Sequence, residues 1–112
     1  MKILKFGGTS VANAQHIKRV QNIVKNLDGN KMVVVVSALG GITDLLLKTV
    51  DLASMQDENY RDCLREIEAR HIKTIKELIP IQLQSAILSK VKSELNILDT
   101  LAMVYIEEDE VE

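Results

Sequence analysis

The sequence predicts an α/β fold, a βαβ unit followed by a helical hairpin, on three observations. Lys2-Ile3-Leu4-Lys5-Phe6 and Met32-Val33-Val34-Val35-Val36 are short apolar runs, each followed by a glycine pair. Between them Ile17, Val20, Ile23, Val24 and Leu27 recur at helical spacing. Beyond residue 57 the apolar positions recur every three to four residues, and no strand pattern returns.

The first strand spans residues 2–6 and ends in the turn Gly7-Gly8. An amphipathic helix follows over about residues 12–27, with Lys18, Arg19 and Lys25 on its outer side. Asp28-Gly29-Asn30 is a stop and turn signal. The valine run that follows has no polar face, so it suits a strand buried on both sides of a parallel sheet. Ser37-Ala38-Leu39-Gly40-Gly41 makes a second glycine turn. Thr43 caps or opens the next helix, which carries Leu45, Leu46, Leu47, Val50 and Leu52. The pattern loosens at Ser54 to Asn59.

Tyr60, Leu64, Ile67, His71, Ile75 and Leu78 then form one helical stripe. Ile87, Val91, Leu95, Leu98 and Ala102 form another. Pro80 lies between them, where its ring closes one helix or starts the next. The two helices are expected to pair as an antiparallel hairpin. The expected organisation is a βαβα part over residues 1–53, a helical hairpin over 57–103 and an acidic tail over 107–112.

With 112 residues the chain is the size of one small domain. Its apolar content is 46 %, but only 3 % is aromatic and there is no Trp, so the core must be aliphatic. Five of the sixteen acidic residues lie in 107–112, so the body balances 14 basic against 11 acidic residues. That mild balance gives no case for nucleic acid or membrane partners. The acidic end reads as a solvated, frayed terminus. One cysteine, Cys63, permits no intrachain disulfide, which fits a reducing cytoplasm. No signal-peptide pattern opens the chain, and no apolar run is long enough to span a bilayer.

The chemistry-bearing residues lie at the two glycine turns. Both turns fall at the carboxyl ends of adjacent parallel strands, where open α/β sheets bind ligands. Lys5, Gly7, Gly8, Thr9 and Ser10 have the parts of a phosphate cradle. Adjacent glycines let backbone N–H groups face an anion, the lysine adds a compact charge, and the hydroxyls add donors. An ordinary βα turn with a helix-capping Thr or Ser explains the same residues. The string is neither a P-loop nor the three-glycine dinucleotide fingerprint. Ser37, Gly40, Gly41 and Thr43 read either as a second half-site or as a turn and a helix start.

The other candidates are weaker. His71 lies in an apolar stripe and reads as a hydrogen-bonded interfacial histidine. His16 reads as solvated. Neither has a partner at metal-ligand spacing, so no metal site is expected from protein side chains. Cys63 reads as a small helical residue near the core edge.

Lys5-Phe6-Gly7-Gly8-Thr9-Ser10-Val11-Ala12 resembles the signature of aspartate kinases. Val33-Val34-Val35-Val36-Ser37-Ala38-Leu39-Gly40-Gly41-Ile42-Thr43-Asp44 is similar to that family's next segment, in order and spacing. The helical stretch with Glu68-Ala69-Arg70-His71 resembles it less specifically. The likeness runs over most of residues 2–100 and extends to aspartate kinases fused to homoserine dehydrogenase.

The resemblance implies an amino-acid-kinase-like (Rossmann-like) fold. It implies transfer of the γ-phosphoryl group of ATP, with Mg²⁺, to the β-carboxylate of L-aspartate, giving 4-phospho-L-aspartate on the route to lysine, threonine, methionine and isoleucine. It makes Lys5 the catalytic residue on the transferring phosphates, with Gly7, Gly8, Thr9 and Ser10 as the phosphate loop. It assigns Ser37 and Thr43 to aspartate. The family's next motif, a Gly-Glu pair, does not occur here. The chain is therefore expected to be the N-terminal part of the kinase domain, a partial domain with little activity alone. A non-catalytic binding or assembly module with the same fold is the alternative. A third reading is another member of the superfamily acting on a different carboxylate. A two-stranded sheet leaves an exposed edge, so association into a homo-oligomer through that edge or the helices is a further expectation.

Overall fold

A computed structural model describes the backbone of residues 1–27, 29 and 31–111, with side chains up to residue 104. The elements in chain order are β1 (Lys2–Phe6), α1 (Ala14–Asn26), β2 (Met32–Val36), α2 (Ile42–Ser54), α3 (Tyr60–Leu78) and α4 (Ile81–Val111). The fold is α/β, with a two-stranded parallel sheet and four helices. The chain forms two compact units, residues 1–43 and 44–112. This division falls within α2, ten residues before the expected end of the βαβα part at residue 53. The expected turn at 28–30 and the acidic tail lie largely outside the described residues and side chains. Among the described residues no helix is long and apolar enough to cross a membrane.

In the first unit β1 and β2 pair in parallel, with Lys5 opposite Val35 and Phe6 opposite Val36. The ladder closes at its two ends through Lys2 N–H to Lys31 O at 3.1 Å and Ser37 N–H to Phe6 O at 3.0 Å. Side chains alternate between the faces of a strand. Phe6, Val34 and Val36 share their face with Val20 of α1, and Lys5 and Ile3 fall on the other.

The cap of α1 is Asn13, in extended backbone. Its Oδ1 accepts from the His16 N–H at 3.0 Å, so one unpaired donor of the first turn is satisfied. At the other end Lys25 sits in the last turn, the end that favours a cation. Val20 and Ala14 are its buried residues.

The valine run departs from expectation. Val33, Val34, Val35 and Val36 are all exposed, Val36 at 57 %, and on β1 Ile3 is 69 % exposed. A strand with no polar face needs a layer on both sides, and the unit of residues 1–43 supplies only α1. Even on that side the packing is open: α1 and β2 leave an apolar hollow of about 510 Å³ lined by Val20, Val24, Val34 and Val36.

In the second unit α3 and α4 pair as the expected hairpin. Glu68 lies 3.8 Å from Lys92, and the Tyr60 hydroxyl donates to Asp99 at 2.8 Å, so positions early in α3 meet positions late in α4. Tyr60, Leu64, Ile67 and Ile75 are buried as their spacing requires. Pro80 has both suggested roles. α3 ends just before it, and its carbonyl accepts from the Leu83 N–H at 2.9 Å as α4 begins. Gln84 Nε2 donates to the Ile79 carbonyl at 2.8 Å and ties the corner. His71 is half-buried with Nδ1 2.7 Å from the Ile67 carbonyl, so it is hydrogen-bonded within its own helix. Cys63 is buried.

Candidate functional site at the two glycine turns

The loops after β1 and β2 meet at the carboxyl edge of the sheet. The first is a tight turn in which the Ser10 N–H donates to the Gly7 carbonyl at 3.0 Å. The second ends with the Ile42 N–H donating to the Leu39 carbonyl at 3.0 Å. Two glycines in the second loop are required by geometry. A β-carbon on Gly40 would lie 3.0 Å from Ala12 Cβ and 3.2 Å from the Gly8 carbonyl oxygen. Gly41 has φ of 81°, a left-handed conformation that disfavours side chains. The first loop has more room. A β-carbon on Gly8 would touch the Ser37 Oγ and the Ala38 carbonyl only at ordinary contact distance, and Gly7 has open space around it.

Gly8 and Ser37 are thus brought together across the loops, as are Gly8 and Gly40. Lys5 sits at the end of β1 and is exposed. Thr9, Ser10, Ser37 and Thr43 are exposed as well. Among the described residues, the side chains of Lys5, Thr9, Ser10, Ser37 and Thr43 make no hydrogen bond or ion pair. The cap of α1 is Asn13, so neither Thr9 nor Ser10 serves the ordinary capping role. Thr43 lies within the first turn of α2 and opens that helix.

The set is also divided. Strand alternation puts Lys5 on the face away from α1. Thr9 and Ser10 instead line a hollow of about 240 Å³ on the α1 side, beside His16 and Arg19. His16, expected to be solvated, is half-buried, and its Nδ1 is 2.8 Å from Asn13 Oδ1. Sequence reading missed Asn13, although Asn just before a helical stripe is a cap signal. It also missed Arg19 as a neighbour of the loop, for which one turn of helix after His16 is the only hint.

A parallel two-stranded sheet with two glycine loops meeting at its carboxyl edge defines an α/β protein. The model of the amino acid kinase family matches residues 1–109, and the chain belongs to that family. It is 32 % identical over 103 residues to the bifunctional aspartokinase/homoserine dehydrogenase 1, chloroplastic, of Arabidopsis thaliana, covering 91 % of this chain and 11 % of the relative. It is 41 % identical over 76 residues to the aspartokinase of Chlamydia pneumoniae, covering 68 % of this chain and 16 % of the relative. A bifunctional aspartokinase/homoserine dehydrogenase 1 of Zea mays is 31 % identical over 103 residues, 91 % of this chain and 11 % of the relative. The chain thus spans between about a tenth and a sixth of the length of these relatives.

Proposed function

We propose that residues 1–44 form the phosphate and aspartate half of an aspartate kinase site. The reaction is transfer of the γ-phosphoryl group of MgATP to the β-carboxylate of L-aspartate, giving 4-phospho-L-aspartate for lysine, threonine and methionine synthesis. The observation that carries the proposal is the meeting of two glycine loops whose lysine and hydroxyl side chains have no structural employment. Capping falls to Asn13 instead.

The chemistry asks for what these residues have. A carboxylate is ionised at neutral pH, so this nucleophile needs no general base. The protein has to place two anions in line and offset charge growing on the phosphoryl oxygens. Lys5 supplies a point charge for those oxygens. Gly7 and Gly8 expose backbone N–H groups, and Thr9 and Ser10 add hydroxyl donors. Ser37 and Thr43 hold the aspartate. Mg²⁺ prefers oxygen ligands and is held largely through nucleotide phosphates, so the residues' share is to fix those phosphates. The nucleotide half of the site is proposed to be built by parts of the parent protein other than residues 1–112. The 112-residue chain alone is therefore expected to turn over little or no ATP. The test is ADP release with L-aspartate and MgATP. Robust turnover by the 112 residues alone would overturn the division of labour.

A second reading, a non-catalytic assembly module, is favoured by one observation. Ile97, Leu101 and Val104 are exposed along one stripe of α4. Sedimentation distinguishes the two. A defined oligomer, with no spectral change near Lys5 and Ser37 on adding phosphate or aspartate, favours the module.

A further inference from the structure

We propose that the hollow between the first loop and α1 is a second oxyanion subsite, built on Arg19 and His16 and distinct from Lys5. Thr9 and Ser10 of the loop and His16 and Arg19 of α1 line the hollow. Phe6, Val20 and Ile23 complete the lining, and none of the lining residues is a carboxylate. A guanidinium near apolar side chains is worth more to an anion than the same group in open water, because part of its surroundings is of low dielectric. Its planar fork matches two oxygens of one phosphate. The volume of about 240 Å³ has room for a phosphate-sized group.

His16 adds a ring nitrogen to the same set. Its Nδ1 faces the Asn13 carboxamide oxygen, an acceptor, so Nδ1 carries a proton. Nε2 is then the free ring nitrogen. In the neutral ring it accepts from a protonated oxygen, and in the charged ring it donates. A hydrogen phosphate satisfies either form. The two hydroxyls add donors that adapt by rotation. Lys5 belongs to the other face of the sheet by strand alternation, so its charge is not part of this set. The inference shares Thr9 and Ser10 with the proposed kinase site but does not depend on the reaction assigned there.

The experiment is a titration of the 112-residue chain with inorganic phosphate, followed residue by residue by NMR. The expected result is saturable shifts at the Thr9 and Ser10 amides, the His16 ring and the Arg19 side chain. Arg19→Gln should weaken binding by about tenfold or more, as loss of a charge-assisted pair does. Arg19→Lys should recover part of that loss. Arg19 is exposed, so its variants keep the fold. Three results overturn the proposal: no saturation, the same affinity in Arg19→Gln, or shifts that follow Lys5 instead of Arg19. A chain that binds phosphate through Arg19 while the parent enzyme fails on aspartate would leave this subsite standing and remove the kinase reading.

Discussion

Gly40 lies so close to Ala12 that a β-carbon on it would sit 3.0 Å from the Ala12 Cβ and 3.1 Å from its Cα. That contact joins the second glycine loop to the segment just before α1. The pairing of Phe6 with Val36 brings the two loops to one edge, and the missing side chain at Gly40 lets them approach this closely. Gly40→Ala must push backbone away from backbone, since the Gly8 carbonyl is 3.2 Å from the same point. Overpacking of this kind costs about 1–3 kcal/mol. A drop in the denaturant midpoint, with amide shifts at Gly8 and Ala12, is the expected outcome. Gly8→Ala meets only ordinary contacts and should cost less than Gly40→Ala in the same measurement.

Asn13→Ala removes the cap of α1 and the partner of His16 together. The expected loss is about 1 kcal/mol, read by chemical denaturation. Asn13→Asp keeps an acceptor for the His16 N–H and should retain most of the stability. Equal losses in the two variants would mean that the cap is not what Asn13 contributes.

The hairpin carries its own titration. Tyr60 is fully buried, and burial, with Asp99 as a neighbour, pushes its phenol above the usual value of 10.0, while the Arg61 hydrogen bond pulls the other way. The neutral phenol is therefore favoured in the folded state. Its contribution is complete below the unfolded value near pH 10 and is lost as pH rises through the higher folded value. Thermal melts of the chain should show a fall in stability beginning above about pH 10, and Tyr60→Phe should remove that part of the fall. At neutral pH Tyr60→Phe should itself cost about 1–3 kcal/mol, because Asp99 loses its donor at 2.8 Å in a half-buried place.

Much of this was legible because it depends on local pattern. The apolar runs at residues 2–6 and 32–36 became the two strands, and the stripe from Ile17 to Leu27 became α1 within two residues at its start. Tyr60, Leu64, Ile67 and Ile75 were readable as a core because helical period alone puts them on one face. The failures are of another kind. The Tyr60–Asp99 hydrogen bond joins residues 39 apart, and no local pattern encodes it. The exposure of Val33 to Val36 was missed because a valine run reports what a strand needs to bury, not what lies against it. At the candidate site the loops and their glycines were readable. The separation of Thr9 and Ser10 from the face of Lys5 was not, since it depends on how the turn at Gly7 leaves the strand.

Lys5 is the sharpest point of the functional reading, because it brings a compact charge to the end of β1 on the face of the sheet away from Arg19. In a complete kinase Lys5→Met should lower kcat by about 10²-fold or more with a smaller change in KM, the mark of a group that acts on developing charge. A change in the KM for ATP alone would make Lys5 a binding group and nothing more.

The most direct measurement grafts residues 1–44 of this chain onto the Chlamydia pneumoniae aspartokinase in place of its own matching segment. ADP release is then followed with MgATP, with and without L-aspartate. The account predicts turnover that requires L-aspartate and collapses in the Lys5→Met graft. A graft that melts cooperatively yet shows no aspartate-dependent ADP release, or one indifferent to Lys5→Met, would contradict it.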